Sequence, residues 1–352
     1  MKVSRVLFCI VIGLVIFCPV MGVKALSIGG IDVAEVSSGD GLYADSNENG
    51  RYVYKGTNPN NYIKLGGEMW RIVAIESDGT IKLVKDSFIE KRTFDQAGAR
   101  NAGYCALGSA STEGCNAWFQ TNNFVNGNYN GEVSANAQLN TYLNGEYYNS
   151  LNSTVKNYIV AYDWGVGSVT SNNTNLSDEI TSENSVTWNG NVALISHSDY
   201  MRANSNISSC GNDKDNYDNY QTCRTTNWLY VSSSYYWTLT PYGNSSHYLW
   251  VICGAGTLSS YSAGSSYDVR PSIHITPEID LTGSGTEEDP YTVDTPSENP
   301  DSGVTEPTPS QVVDVPSTSQ SAPFVILLVG FAAIVIAIIV IAIVTKTKRA
   351  KK

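Results

Sequence analysis

The sequence contains few of the residues from which metal centres and nucleophilic active sites are built. It has three histidines in 352 residues, and no two of them are spaced as a metal-binding pair. It also lacks a Cys-x-x-Cys pair, a phosphate-binding loop and a nucleophile elbow. The chain therefore offers no motif for zinc, nucleotide-phosphate or serine-hydrolase chemistry.

Basic residues are scarce outside the two ends of the chain. The sequence has 22 Lys and Arg against 33 Asp and Glu, a formal net charge of -11. Eight of the basic residues lie within residues 1–25 and 346–352. The region between these ends is strongly acidic, and such a surface repels nucleic acid and anionic lipid. We expect no nucleic-acid partner.

Long apolar runs occur only at the two ends. Lys2 and Arg5 precede an apolar run over residues 6–20, and Ala25 closes a stretch typical of a signal-peptidase site. This is the three-part pattern of a secretory signal, and the run is short for a spanning helix. We predict a signal peptide over residues 1–25, with an uncleaved anchor as the alternative.

The C-terminal run is long enough to cross a bilayer. Residues 324–344 carry no charge, and a helix of this length spans the roughly 30 Å hydrocarbon core. Five basic residues follow, and basic residues beside a span stay in the cytoplasm. We predict a single-pass cell-membrane protein with a transmembrane helix over 323–345, a cytoplasmic tail over 346–352 and the remainder outside.

Composition divides the exported region into a folded part and a stalk. Residues 26–295 are numerous enough for a large core or for two parts, a β-rich one over 26–132 and a second over 133–295. Residues 296–322 are rich in Pro, Ser, Thr and Glu and have few apolar side chains. They predict a disordered, extended stalk.

The cysteines favour an oxidising compartment. Cys105 is close in sequence to Cys115, and Cys210 to Cys223, within loops rich in Gly, Ser and Asn. We predict two local disulfides, as expected of an exported protein, with a metal site as the alternative. Cys253 has no predicted partner.

Periodicity predicts a β-rich α+β fold with short amphipathic helices. The Asp78-Gly79 turn between two alternating apolar runs predicts a hairpin of residues 70–75 and 81–84. Apolar spacings of three and four over residues 135–160 predict two helices that break near Asn144-Gly145, the second capped by Ser150 or Ser153. Further strands are predicted at residues 52–54, 62–65, 192–195, 236–240, 248–253 and 269–275.

Residues 228–267 combine many aromatic side chains with Ser, Asn and Gly. About half of such a set is ordinarily core, and the rest, on loops, is typical of a binding surface. Aromatic faces with polar neighbours also bind sugars, so a glycan or a host or surface protein is the expected ligand. The candidate ligand-binding residues are Tyr235, Tyr242, His247, Tyr248, Trp250, Tyr261 and Tyr267.

Three other groups of residues are candidates for chemical sites. Residues 45–50 resemble the start of a calcium loop, but Gly56 stands where a bidentate acid is expected, and a turn is the simpler interpretation. Residues 213–218 contain three Asp residues, which favour a solvated acidic loop over a cation site. His247 and Cys253 suggest a thiol nucleophile with its base, although a buried free cysteine is the simpler hypothesis. We assign no catalytic residue, metal or cofactor, and calcium stays open.

Three stretches of the chain, residues 40–84, 139–164 and 236–273, carry a recognisable pattern, and the third contains Trp-x-Leu-x-Pro followed by Val-Arg-Pro. Together they resemble an uncharacterised family of surface domains from low-GC Gram-positive-type bacteria. The third stretch is also similar to the C-terminal part of C-type-lectin-like and formylglycine-generating-enzyme-like folds. The resemblance implies a ligand-binding α+β domain with a small twisted antiparallel sheet and two helices.

The segment before the C-terminal apolar run resembles a sortase signal. Pro316 and Thr318 match the Leu-Pro-x-Thr-Gly pattern, whereas its Leu and Gly are missing. Anchoring to the cell wall and retention in the membrane therefore both stay open. Taken together, the sequence predicts a surface-displayed, non-enzymatic ligand-binding or adhesion protein; a surface enzyme or a structural envelope protein is the alternative.

Overall fold

The computed structural model describes residues 25–96, 113–120, 135–173, 175–206, 210 and 220–293. These residues belong to one compact unit. In these ranges no helix has the length and apolar character needed to cross a bilayer. Residues 1–24 of the predicted signal peptide and the predicted stalk, transmembrane helix and tail lie outside the described residues, as do Cys105, the Asp residues of 213–218, Pro316 and Thr318.

Strands dominate the described residues and the helices are short, which confirms the predicted β-rich α+β class. The strands are β1 Ala25–Ile28, β2 Ile31–Ala34, β3 Gly41–Ala44, β4 Tyr52–Lys55, β5 Tyr62–Leu65, β6 Glu68–Ile75, β7 Ile81–Lys85, β8 Glu90–Thr93, β9 Phe119–Gln120, β10 Ala135–Asn136, β11 Ile159–Val160, β12 Tyr162–Gly165, β13 Thr187–Gly190, β14 Val192–Leu194, β15 Tyr236–Pro241, β16 Tyr248–Ile252, β17 Leu258–Ser262, β18 Ser266–Val269, β19 Pro271–Ile275, β20 Leu281–Thr282 and β21 Tyr291–Val293. The helices are α1 Gln138–Tyr142, a π-helical turn Leu143–Tyr147, α2 Tyr148–Ser150, α3 Ser153–Tyr158, α4 Leu176–Glu183, α5 His197–Arg202 and α6 Tyr220–Arg224.

The larger of two main sheets is organised around the predicted hairpin. Its main path runs β11-β19-β7-β6-β5-β21-β20, with β14 beside β19 and the β3–β4 pair beside β6. Strands β6 and β7 are antiparallel, with Ile75 opposite Ile81. Gly79 has a φ of +90° in the connecting turn, a conformation that favours glycine over residues with a side chain. The Asp-Gly signal therefore predicted both the turn and its strands.

A second, five-stranded sheet has the order β17-β16-β15-β18-β8. The chain passes between the two sheets four times, between β7 and β8, between β8 and β11, between β14 and β15, and between β18 and β19. Strands from residues 26–132 and from residues 133–295 are hydrogen-bonded neighbours in both sheets. The two parts of the chain therefore build the sheets jointly.

The predicted helix break near Asn144-Gly145 is wrong. Helical structure continues from α1 through the π-helical turn to α2. The Asn144 side chain donates to the Val192 carbonyl at 2.8 Å and accepts from the Val192 N–H at 3.0 Å. These bonds join the helix to β14 at the π-helical turn, and such turns occur mostly as single insertions within α-helices. The break lies at Leu151, which is extended, and Asn152 rather than Ser150 or Ser153 caps α3 through the Thr154 N–H.

Both faces of the five-stranded sheet are packed. Trp237 belongs to one buried cluster with Trp70, whereas its neighbour Tyr236 belongs to a second cluster with Trp250. Successive strand residues point to opposite faces, so each face meets its own core. Much of the aromatic segment 228–267 is therefore interior.

Candidate functional site

A polar cavity of about 240 Å³ lies beside the larger sheet, next to α5 and β12. Lys82 of β7 and His274 of β19 are direct cross-strand neighbours at its floor. Arg51 enters from the residue before β4, and Glu76 from the residue after β6. Seven segments of the chain thus supply one pocket: residues 48–51, 76–82, 162–165, 183–187, 196–202, 239 and 274.

Arg51 is the centre of the floor. Its guanidinium donates from Nε to Glu76 Oε2 at 2.7 Å, from Nη1 to Asp45 Oδ2 at 2.9 Å and from Nη2 to Asp199 Oδ1 at 3.2 Å. The side chain is 5% exposed. Burial alone would lower the pKa of Arg51, but the carboxylates of Glu76, Asp199 and Asp45 outweigh it and raise that pKa above its usual value. A planar group with five donors can serve three carboxylates at once.

Asp199 connects this floor to α5. Its Oδ2 accepts from Lys82 Nζ at 2.6 Å and from the Ser196 N–H at 2.9 Å. Ser196 Oγ in turn accepts from the Asp199 N–H, which completes a capping box. Burial raises the pKa of Asp199, but Lys82, Arg51 and Arg202 outweigh it and hold that pKa well below its usual range. Asp199 is therefore ionised and fixed in place.

His274 is neutral in this surrounding at neutral pH. Burial lowers its pKa to about 4, although Glu76, whose Oε1 lies 3.4 Å from Nε2, acts to raise it. The Tyr162 ring stacks on the imidazole at a centroid distance of 3.7 Å. Trp164 meets the imidazole edge-on at 4.4 Å. Two aromatic side chains of β12 thus cover the histidine on one wall of the cavity.

The rim carries two acidic side chains that solvent reaches. Glu48 is 32% exposed and accepts from Arg202 Nη1 at 2.6 Å. Asp163 is exposed and accepts from Asn189 Nδ2 at 2.8 Å. Deeper in the cavity, Glu183 accepts from the Ser198 backbone N–H at 3.2 Å and from the Ser198 hydroxyl.

The family comparison covers most of this site. A model of a domain of unknown function, DUF6273, matches residues 78–277, which is more than half of the chain. The chain belongs to the DUF6273 family. The matched region contains Lys82, Asp199 and His274 but not Arg51 or Glu76. No curated protein and no solved structure is significantly similar to the chain.

The charges around the calcium-like loop oppose a bound cation. In the described part of this DUF6273 protein, no group of three or more His, Cys, Asp or Glu is arranged to hold a metal ion. Asp45, the first residue of the calcium-like loop, is bonded to Arg51 and lies 3.1 Å from Arg202 Nη1. Two guanidinium groups beside this carboxylate disfavour a bound cation.

Three of the predicted aromatic residues lie together on a separate surface of the DUF6273 domain. Ring centroids are 5.9 Å apart for Tyr235 and Tyr267, 6.0 Å for Tyr235 and Tyr261, and 5.3 Å for Tyr261 and Tyr267. Tyr235 is 38% exposed, more than any other large hydrophobic side chain among the described residues. We call these three residues the tyrosine platform.

The other predicted residues lie elsewhere. Trp250 is 4% exposed, and its indole N–H donates to the Val169 carbonyl at 3.0 Å. Tyr242 meets the Trp250 ring edge-on at 5.1 Å. His247 and Tyr248 pack against each other at 4.4 Å. Trp250 is therefore a core residue of the DUF6273 domain and not part of a binding surface.

The cysteines follow the predicted pattern where the structure describes them. Cys210 and Cys223 form a disulfide, as predicted. Cys115 is also disulfide-bonded, and its predicted partner Cys105 lies outside the described residues. Cys253 is free and buried. Burial raises its pKa, and His247 lies six residues away, about 20 Å along an extended strand, so the two do not form a thiol–imidazole pair.

Sequence reasoning missed the cavity entirely. The one feature of the sequence that could have indicated it is an ionisable residue inside an otherwise apolar strand. Lys82 lies between Ile81 and Leu83, and His274 lies between Ile273 and Ile275. Ionisable side chains are rarely buried unless they are paired. Each such residue therefore indicated a partner on another segment, although not which one.

Proposed function

We propose that this DUF6273 protein is a surface-displayed, non-enzymatic receptor or adhesin that binds one small polyhydroxylated ligand, a sugar unit, in the Arg51–Asp199 cavity. The observation that carries the proposal is the cavity itself. Its charged floor is fixed by mutual hydrogen bonds, and its wall holds the partly buried Tyr162 ring. A preorganised polar site avoids the cost of ordering side chains when the ligand binds.

The size and lining of the cavity support a sugar. Its volume of about 240 Å³ is below the roughly 300–1,000 Å³ of sites for drug-sized ligands. Closely spaced carboxylates, guanidinium groups and hydroxyls line it, including Ser198 and Arg202. Sugar hydroxyls both donate and accept, and their C–H faces pack on aromatic rings such as Tyr162.

The two carboxylates on the cavity floor, Glu76 and Asp199, are unsuited to act as the acid of a glycosidase. A glycosidase needs one carboxyl with a raised pKa as the acid and one ionised carboxylate. Arg51 outweighs burial and holds the pKa of Glu76 well below its usual range, and Asp199 is lowered in the same way. Neither carboxylate therefore carries a proton to donate at neutral pH. The buried Cys253 thiol likewise supports a non-enzymatic protein.

Surface display is the second part of the proposal. The signal peptide, the stalk, the single membrane helix with its cytoplasmic tail and the alternative of sortase attachment are inferred from the sequence. The Cys210–Cys223 disulfide supports an oxidising, extracellular location. A C-type-lectin-like relationship is likewise proposed from the strand-forming motifs of β15 and β19.

The test is equilibrium binding to the full-length protein in a detergent without sugar groups. A panel of monosaccharides would be titrated by calorimetry and by saturation-transfer NMR. Tyr162→Ala should abolish or strongly weaken binding, because the variant removes the aromatic wall. Tyr235→Ala, on the tyrosine platform, is the matched control and should bind as the wild type does. Failure of every sugar to bind would overturn the proposal.

The tyrosine platform is a second candidate site, for adhesion to larger glycans or proteins. Its three rings come from three segments and meet at an exposed surface. Tyrosine gives a large contact area at low entropic cost. Adhesion that is lost in Tyr235→Ala but retained in Tyr162→Ala would assign ligand binding to the platform instead.

A further inference from the structure

We infer that the ligand of the cavity carries a free ammonium group, so that the preferred class is an amino sugar whose amine is not acetylated. The inference rests on the proposed sugar-binding function and specifies, in addition, that the ligand is positively charged. It follows from the balance of charges in the lining, their position, and an ammonium group that the protein already places against the same wall.

The lining is net acidic. Its cations are Arg51, Lys82 and Arg202, whereas five carboxylates line the same cavity: Glu48, Glu76, Asp163, Glu183 and Asp199. His274 adds no charge at neutral pH. An acidic sugar would bring a further negative charge into a site that already has two in excess.

One of the two excess negative charges lies deep in the cavity, at Glu183, and the other lies at the rim, at Asp163. Arg51 and Lys82 are bonded to floor carboxylates, and Arg202 Nη1 is bonded to Glu48. Asp163 has an amide as its hydrogen-bond partner, from Asn189, and no cation lies within ion-pair distance of it in the described residues. A ligand ammonium group near Asp163 would supply the missing positive charge.

The aromatic wall already accommodates an ammonium group. Lys82 Nζ lies 5.2 Å from the Trp164 ring centroid, within the range of a cation–π contact. Burial raises the pKa of Tyr162 on the same wall, and the nearby carboxylates of Glu76 and Glu48 raise it further against the opposing effect of Arg51. The carboxylates that act on this ring outnumber the one guanidinium group that opposes them, which favours a cation at the wall.

The lining also keeps one unused donor. The Arg202 side chain is 5% exposed and lines the cavity, and its Nε–H has no hydrogen-bond partner among the described residues. Buried donors are ordinarily paired. An unpaired one beside an already paired floor indicates that the cavity is completed by a ligand acceptor, such as a sugar hydroxyl, reached through a small shift of this side chain.

The experiment compares amines with their acetylated and neutral counterparts. Full-length protein would be titrated by calorimetry at pH 7 and fixed ionic strength with D-glucosamine, N-acetyl-D-glucosamine, D-glucose and D-glucuronate, and with the galacto series. We expect each amine to bind about fivefold or more tightly than its acetylated partner, and the uronate to bind most weakly. Added salt should reduce the preference.

A rim variant separates charge from shape. Asp163→Asn keeps an acceptor oxygen for Asn189 and should weaken amino-sugar binding about two- to fivefold, leaving the neutral sugars unchanged. Asp32→Asn, an exposed acid on β2, makes the same change in net charge and should alter neither affinity.

The outcomes distinguish this inference from the proposed function. Equal affinity for amine and acetylated sugars would overturn the inference and leave sugar binding standing. Absence of binding by every sugar would overturn both. Tight binding of 1,4-diaminobutane without binding of any sugar would also overturn the sugar class, because the cavity would then select the cation alone.

Discussion

Protonation of His274 should destabilise the fold as the pH falls from about 6.5 to about 4. The folded-state pKa of this histidine is about 4, and the ordinary value is about 6.5. Between these values the unfolded chain binds a proton that the folded chain does not, so stability rises with pH across this window. A difference of about 2.5 pKa units corresponds to about 3 kcal/mol, present in full above pH 6.5 and lost by pH 4.

The groups facing His274 explain this sign. The imidazole is fully enclosed, and Lys82 opposes its protonation while Glu76 and Asp199 favour it; burial is the largest effect. The carboxylates around Arg51 do not contribute to the change in stability between pH 6.5 and pH 4. The pKa values of Glu76, Asp199 and Asp45 lie below their usual range, so their contribution is lost only below about pH 4.

The assay is urea unfolding followed by tryptophan fluorescence at pH 7, 6, 5 and 4. His274→Gln keeps a donor for Glu76 but cannot titrate, so it should lower stability at every pH and flatten the slope between pH 6.5 and 4. Ser272→Ala, which removes a 2.6 Å bond to the Leu83 carbonyl in the same strand, should keep the wild-type slope. An unchanged slope in His274→Gln would refute the reasoning.

Three further perturbations should change the free energy of unfolding by amounts that the contacts of the altered residues predict. Arg51→Met leaves three carboxylates without their shared cation and should cost about 3–5 kcal/mol in urea unfolding; a loss below about 1 kcal/mol would contradict the network. Reduction of the Cys210–Cys223 disulfide, whose sequence separation is 13, should cost about 2–4 kcal/mol, and non-reducing peptide mapping that shows a free Cys210 would disprove the pairing. Trp250→Ala should cost about 3–5 kcal/mol because the ring is core, whereas Tyr235→Ala should change unfolding by less than about 0.5 kcal/mol; equal losses would place both rings in the same environment.

Local patterns predicted the elements that depend on local physics. The β6–β7 hairpin follows from an Asp-Gly turn between alternating runs, and that turn geometry is set by adjacent residues. The helix break near Asn144 was mispredicted because the Asn144 amide bonds to Val192, 48 residues away. Helix propensity and apolar spacing depend only on residues that are close in sequence, so they do not indicate a hydrogen-bond partner 48 residues away.

The aromatic segment shows the same limit. Its composition indicated a binding surface, and Tyr235, Tyr261 and Tyr267 do meet at one. Trp250 lies in the core because the five-stranded sheet is packed on both faces. Alternation along a strand separates its two faces but does not tell which of them is covered.

The sequence by itself determined the class of the fold, the hairpin, one disulfide pairing and the acidic character of residues 26–345, because each depends on composition or on residues close together in the chain. Only the tertiary structure decided the cavity. Arg51 lies 148 residues from Asp199, and Glu76 lies 198 residues from His274. Burying such charges is unfavourable unless their partners are in place, so the site exists only when both sheets and α5 have come together.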